Sequence, residues 1–128
     1  MVVVGGGFTG CAAALEAARR GASVCVLEAE TVDHGGSGRN VGLVNAGLWL
    51  LPDTIVAQLG QDAGRRLIEI LADAPHRVFS LVEREAIDCE ATPKGTLHLA
   101  RSTAGVRDLH KRYHQGKLYG SPLTLLVF

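Results

Sequence analysis

Three β-branched residues, Val2-Val3-Val4, run directly into Gly5-Gly6-Gly7-Phe8-Thr9-Gly10. A β-branched run stopped by glycine reads as a short buried strand. The residues after it, Phe8 to Arg20, are alanine-rich and favour helix, with Gly21 placed just past its end. Ala22 to Glu28 then reads as a second strand with Val24, Val26 and Leu27 as its apolar positions. Two parallel strands joined by one helix through tight turns form a βαβ unit. The six residues from Gly5 to Gly10 also match G-x-G-x-x-G. That pattern is weak alone but specific where it follows a strand and opens a helix.

Each glycine has a physical task in such a turn. Gly5 permits the tight bend, and Gly7 lets the backbone approach a pyrophosphate with no Cβ in the way. Gly10 lets helix and strand pack closely. A pyrophosphate there meets backbone N–H groups at the positive end of the helix dipole. Glu28 ends the second strand, 18 residues after Gly10. A carboxylate at that place accepts hydrogen bonds from both hydroxyls of an adenosine ribose and repels a 2′-phosphate, which disfavours NADP. The alternative is a tight turn beside a solvated acid.

Composition narrows the classes. Thirteen Lys and Arg balance thirteen Asp and Glu, so bulk charge argues against nucleic-acid or anionic-membrane binding. Hydrophobic residues make up 47% of the chain, enough to build a core. No apolar run approaches the ~20 residues of a membrane span. Met1 to Gly7 carries no basic segment of the kind that opens a signal peptide. Cys11, Cys25 and Cys89 form neither a CxxC nor a Cys/His ligand set, so zinc and a disulfide framework are not expected. They read as inert core thiols in a reduced, cytoplasmic setting.

Beyond Glu28, Thr31 to Gly47 has loop character. Asp53 to Leu59 reads as a short helix capped by Asp53 after Pro52. Leu67, Leu71, Ala74, Val78 and Leu81 recur at helical steps and predict an amphipathic helix from about Asp62 to Glu85, kinked or divided by Pro75. Ile87 to Glu90 and the alternating Gly95 to Ala100 read as short strands. Ser102 to Gln115 reads as a polar surface helix capped by Ser102, with His110 to His114 on a solvated face. Leu123 to Phe128 reads as a last apolar strand after Pro122. Trp49 packs under the following helix or shields a ligand.

A second glycine cluster, Gly35-Gly36-Ser37-Gly38-Arg39-Asn40, begins seven residues after Glu28. Ser37 supplies a hydroxyl and Arg39 a forked set of donors suited to phosphate. With this cluster the chain resembles the FAD-dependent oxidoreductases of the D-amino acid oxidase family. The residues carrying the resemblance are Val2 to Glu28 and Gly35 to Gly42. Weaker support comes from Ile87-Asp88-Cys89-Glu90 with Gly95-Thr96-Leu97, and from Gly120-Ser121-Pro122 with Leu125-Leu126.

The resemblance implies a Rossmann-like α/β fold: an FAD-binding βαβ unit followed by helices and short strands. It implies that Gly5, Gly7 and Gly10 hold the FAD pyrophosphate beside the N–H groups of Phe8 and Thr9, and that Glu28 binds the ribose. Ser37 and Arg39 would contact the phosphate and ribityl region. Asn40, Val41 and Gly42 would lead toward the isoalloxazine ring. Val41 stands where many relatives have glycine. Some relatives attach flavin through a histidine, but no motif around His34 supports that here.

The expected organisation is residues 1–50 as the FAD-binding unit and 51–128 as the start of the remaining region. Family members are longer, so the chain is expected to be the N-terminal part of an enzyme that oxidises C–N bonds of amines or amino acids. An incomplete domain of this kind is expected to be inactive alone and to need a partner chain or C-terminal remainder. A truncated product, a small subunit and an NAD-dependent dehydrogenase fragment stay open as alternatives. Ser37-Gly38-Arg39 does not suit the last.

Overall fold

The structure, a computed structural model, describes residues 1–126. Among these residues the fold is α/β, with a parallel two-stranded sheet and four helices. The chain divides into two compact units, residues 1–43 and residues 44 onward.

In the first unit, β1 (Val2–Val4) pairs in parallel with β2 (Cys25–Leu27), Val3 standing opposite Val26. The ladder continues at both ends, where Cys25 N–H donates to the Met1 carbonyl and Gly5 N–H to the Leu27 carbonyl. Helix α1 (Phe8–Arg19) connects the strands. It closes as the sequence predicts: Gly21 takes a φ of +83° and donates to the Ala18 carbonyl, and Ala22 donates to the Ala17 carbonyl. This pair of bonds satisfies two carbonyls that the helix end would leave orphaned.

Two expectations fail in this unit. The strands are not buried: Val2 and Val4 are exposed, Val4 at 83%. Two short strands with one helix on them bury one face incompletely and leave both edges open. Cys11 and Cys25 are likewise exposed rather than core thiols, as is Cys89 in the second unit.

The second unit is built on a helical hairpin, α2 (Pro52–Leu59) and α3 (Gln61–Arg84). Gly60 makes the corner with a φ of +82°, which favours glycine. Gly64 lets the helices approach, since a Cβ there would lie 2.8 Å from the Val56 Cα. Ile55 is buried at this crossing. Asp53 is not the cap of α2: Leu51 holds that position and Pro52 starts the helix, leaving Asp53 in the first turn. Pro75 does not divide α3, which runs unbroken for 24 residues. The carbonyl that Pro75 cannot satisfy, that of Leu71, accepts instead from Gly47 N–H at 3.3 Å.

Helix α4 (Thr103–Leu118) is capped by Ser102, whose Oγ accepts from Gly105 N–H at 3.1 Å. It packs against α2, where Asp53 N–H donates to Gln115 Oε1. The strands expected at Ile87–Glu90 and Gly95–Ala100 do not form. Ala86 and Glu90 both take positive φ and Gly95 turns at +84°, so the segment bends where strands would run straight. Leu123 to Leu126 is not a strand either, and Val127 and Phe128 lie outside the described residues.

Candidate functional site

The site lies within the first unit and starts from the turn between β1 and α1. Gly5 bends there at a φ of +100°, which an L side chain rarely adopts. Gly10 sits where a Cβ would collide with the Gly5 carbonyl oxygen, so helix and strand meet at glycine-only separation. Gly7 precedes the helix and offers no side-chain cap, and no acidic residue occupies the first turn of α1. The helix therefore presents its positive end unopposed by a carboxylate of its own.

The second glycine cluster folds back onto this turn. Ser37 Oγ accepts from Phe8 N–H at 3.0 Å and fills the role of an α1 cap from 29 residues away. A Cβ on Gly7 would stand 2.8 Å from that oxygen. Asp33 N–H donates to the Gly6 carbonyl at 3.2 Å, and Gly38 packs so closely on the Asp33 carbonyl that a Cβ would overlap it. The two glycine-rich segments thus form one backbone-lined surface.

Glu28 closes the side of the turn. Its Oε2 accepts from Gly6 N–H at 2.6 Å and its Oε1 from Glu30 N–H at 3.3 Å. The Gly6 bond is the main cause that holds its carboxyl below the ordinary value. The Glu30 N–H acts next in the same direction; desolvation opposes both, and the Ala29 N–H and the nearby His34 add smaller lowering effects. An ionised carboxylate accepts at both oxygens and so can take hydroxyl donors.

Two adjoining concavities result, sharing Gly7 and Ser37. One, about 170 Å³, lies against Glu28, His34 and Gly36. The other, about 350 Å³, lies against Gly5, Phe8, Thr9 and Gly10. Of the residues singled out from the sequence, Gly5, Gly7, Phe8, Thr9, Gly10, Glu28 and Ser37 are therefore brought together. Arg39, Asn40 and Gly42 are exposed and line neither concavity. Asn40 instead turns its own loop, Oδ1 accepting from Gly42 N–H at 3.3 Å. Asp33, which the sequence does not single out, and His34, for which the sequence offers no flavin-attaching motif, also join the site; their proximity to Glu28 arises only when the loop folds back. Trp49, in the second unit, is 69% exposed rather than buried under the following helix, with Arg112 4.6 Å above its ring and His98 beside it.

The donor set suits a dinucleotide. Backbone N–H groups at a helix N-terminus fit a diphosphate, glycine surfaces admit it closely, and Glu28 fits a ribose diol.

Comparison with known proteins agrees with this chemistry. The family described as FAD dependent oxidoreductase (DAO) matches residues 1–126. Gamma-glutamylputrescine oxidoreductase of Escherichia coli (strain K12) is 35% identical over 120 residues, 93% of this chain and 28% of that protein. Probable oxidoreductase OrdL of Rhizobium meliloti (strain 1021) is 33% identical over 124 residues, 95% of this chain and 28% of that protein. Aerobic glycerol-3-phosphate dehydrogenase of Staphylococcus epidermidis is 36% identical over 76 residues, 59% of this chain. The chain spans about 28% of the length of the first two relatives. No solved structure matches it significantly.

Proposed function

The chain belongs to the DAO family of FAD-dependent oxidoreductases, and we propose that it supplies the Rossmann-like, dinucleotide-holding portion of an enzyme that oxidises C–N bonds of amines or amino acids. The observation that carries the reading is the joint surface of the two glycine segments, with the Glu28 carboxylate at its side.

In this reading Gly5, Gly7 and Gly10 hold the FAD pyrophosphate, and the N–H groups of Phe8 and Thr9 donate toward it. Phe8 N–H exchanges its Ser37 acceptor for a phosphate oxygen. Glu28 accepts from the ribose hydroxyls while Oε2 keeps the turn in shape through Gly6. Arg39, Asn40 and Gly42 belong to the same loop and serve the ribityl and ring portion. Bound FAD supplies the acceptor for a hydride from the substrate carbon. The proposed division of labour is residues 1–50 for the cofactor and 51–128 for the start of the region beyond it.

The amine substrate class rests on gamma-glutamylputrescine oxidoreductase, whose name states that relative's substrate. A chimera tests it. The matching segment of the Escherichia coli relative is replaced by this chain, and the product is assayed for bound flavin and for amine oxidation. The reading predicts a flavin-loaded protein that oxidises an amine. A folded chimera without FAD overturns the cofactor role; one with FAD but no oxidation of any amine or amino acid overturns the substrate class.

A further inference from the structure

The zero net charge conceals a division. Residues 1–90 carry twelve Asp and Glu against seven Lys and Arg, a net of −5, and residues 91–128 carry one Asp against six Lys and Arg, a net of +5. The structure of the second unit sharpens this into two patches.

The first patch is on α4. Arg107, Lys111 and Lys117 are all exposed and share one arc of the helix, together with His110 and His114. The acid within α4, Asp108, is engaged by Arg112 at 2.7 Å, and Arg112 lies over Trp49. That leaves three cations on the exposed arc. Leu118 stands at its end, 81% exposed.

The second patch follows the end of α3. Arg84 and Glu85 pair with each other at 3.4 Å. Glu83, Asp88 and Glu90 remain, all exposed, with Ile87 46% exposed among them. The two patches are opposite in charge: three exposed cations on α4 with Leu118 exposed at its end, and three exposed anions on the segment that carries Ile87. They do not neutralise each other through helix packing, because α4 packs on α2 and not on α3.

We propose that α4 is a docking surface for a second copy of this chain, whose segment from Glu83 to Glu90 it receives. The complement is carried by the same polypeptide, so every copy brings it at equal concentration. In a two-fold pair the contact is made twice, α4 of each protomer on the acidic segment of its partner. Isolated surface ion pairs contribute little. Two opposed arrays, each with an apolar residue to seat, contribute register and fast encounter as well as attraction.

Sedimentation velocity on the chain tests this, at ionic strengths of about 0.01 M and about 1 M, where the Debye length is about 30 Å and about 3 Å. A dimer is expected at low salt, weakened about ten-fold or more at high salt. The triple variant Arg107→Glu, Lys111→Glu, Lys117→Glu is expected to remain monomeric, as is Glu83→Lys, Asp88→Lys, Glu90→Lys. A one-to-one mixture of the two variants is expected to dimerise again, since each then offers the complement of the other. Circular dichroism checks that both variants fold. Should a reversal unfold the chain, Lys111→Gln with Lys117→Gln, and Asp88→Asn with Glu90→Asn, carry the same expectation for weakening. A wild-type monomer at low salt overturns the proposal. So does association that persists in high salt and survives reversal, or binding of α4 to anionic vesicles or nucleic acid with no self-association.

Discussion

Glu28 Oε2 accepts the Gly6 N–H at 2.6 Å, tying the acid at the end of β2 to the glycine turn at the end of β1. The residue that faces a ribose in the proposed complex therefore also buttresses the phosphate turn. Orientation of the carboxylate does not wait for ligand. Its ionisation follows from the same bond, since an N–H donor favours the charged acceptor.

The first prediction concerns that ionisation. The Gly6 bond, then the Glu30 bond, lowers the Glu28 carboxyl from its ordinary 4.5. A lowered folded value means that the bond contributes fully above the unfolded value and is lost as pH falls through the folded one. The Glu28 carboxyl carbon should titrate below 4.5 by NMR, with the Gly6 amide proton moving in the same step. Titration at or above 4.5 contradicts the bond.

Glu28→Gln keeps an oxygen acceptor for Gly6 but removes the charge. Affinity for adenosine-bearing ligands should fall on the order of ten-fold, within the range of a charge-assisted hydrogen bond. Thermal stability should fall only slightly, since the amide oxygen still accepts from Gly6 N–H, though less strongly than the carboxylate. Fluorescence titration and a melting curve separate the two effects. Equal affinity in the variant shows that Glu28 serves the turn alone.

Two glycine substitutions should part company. Gly10→Ala drives a Cβ into the Gly5 carbonyl and should cost about 1–3 kcal/mol, the usual cost of overpacking. Gly36→Ala meets nothing within 4 Å and should be near neutral. Denaturant unfolding of the two variants side by side measures the difference. Equal stabilities contradict the close helix–strand approach.

Ser37→Ala removes the acceptor of Phe8 N–H. The loss should lie in the range of a helix cap, about 0.5–2 kcal/mol. Hydrogen exchange should quicken at Phe8. Unchanged exchange there excludes Ser37 as the cap of α1.

These positions also show what the sequence makes legible. The strand, turn, helix and second strand from Val2 to Leu27 follow local rules, and so does the Ser102 cap of α4. What long-range contact decides is not legible. Pro75 breaks one bond of α3, but the helix continues because Gly47, 24 residues before Leu71, supplies the missing donor. Alternation from Gly95 to Ala100 fits a strand, yet no partner strand is there to pair with it among the described residues. Asp33 and His34 reach the site because the loop after β2 returns to the first turn, and no local pattern encodes that return. Thiol exposure likewise depends on what covers α1, β2 and the segment after α3, where Cys11, Cys25 and Cys89 lie.

In the proposed complex the joint surface of the two glycine segments recognises the adenosine diphosphate portion of FAD. Saturation-transfer NMR on this chain, with FAD and FMN as separate ligands, tests it most directly and detects weak binding. The adenine and ribose protons of FAD should receive saturation, FMN should receive none, and Gly10→Ala should abolish the signal. Equal saturation of FMN, or none of FAD, contradicts the claim.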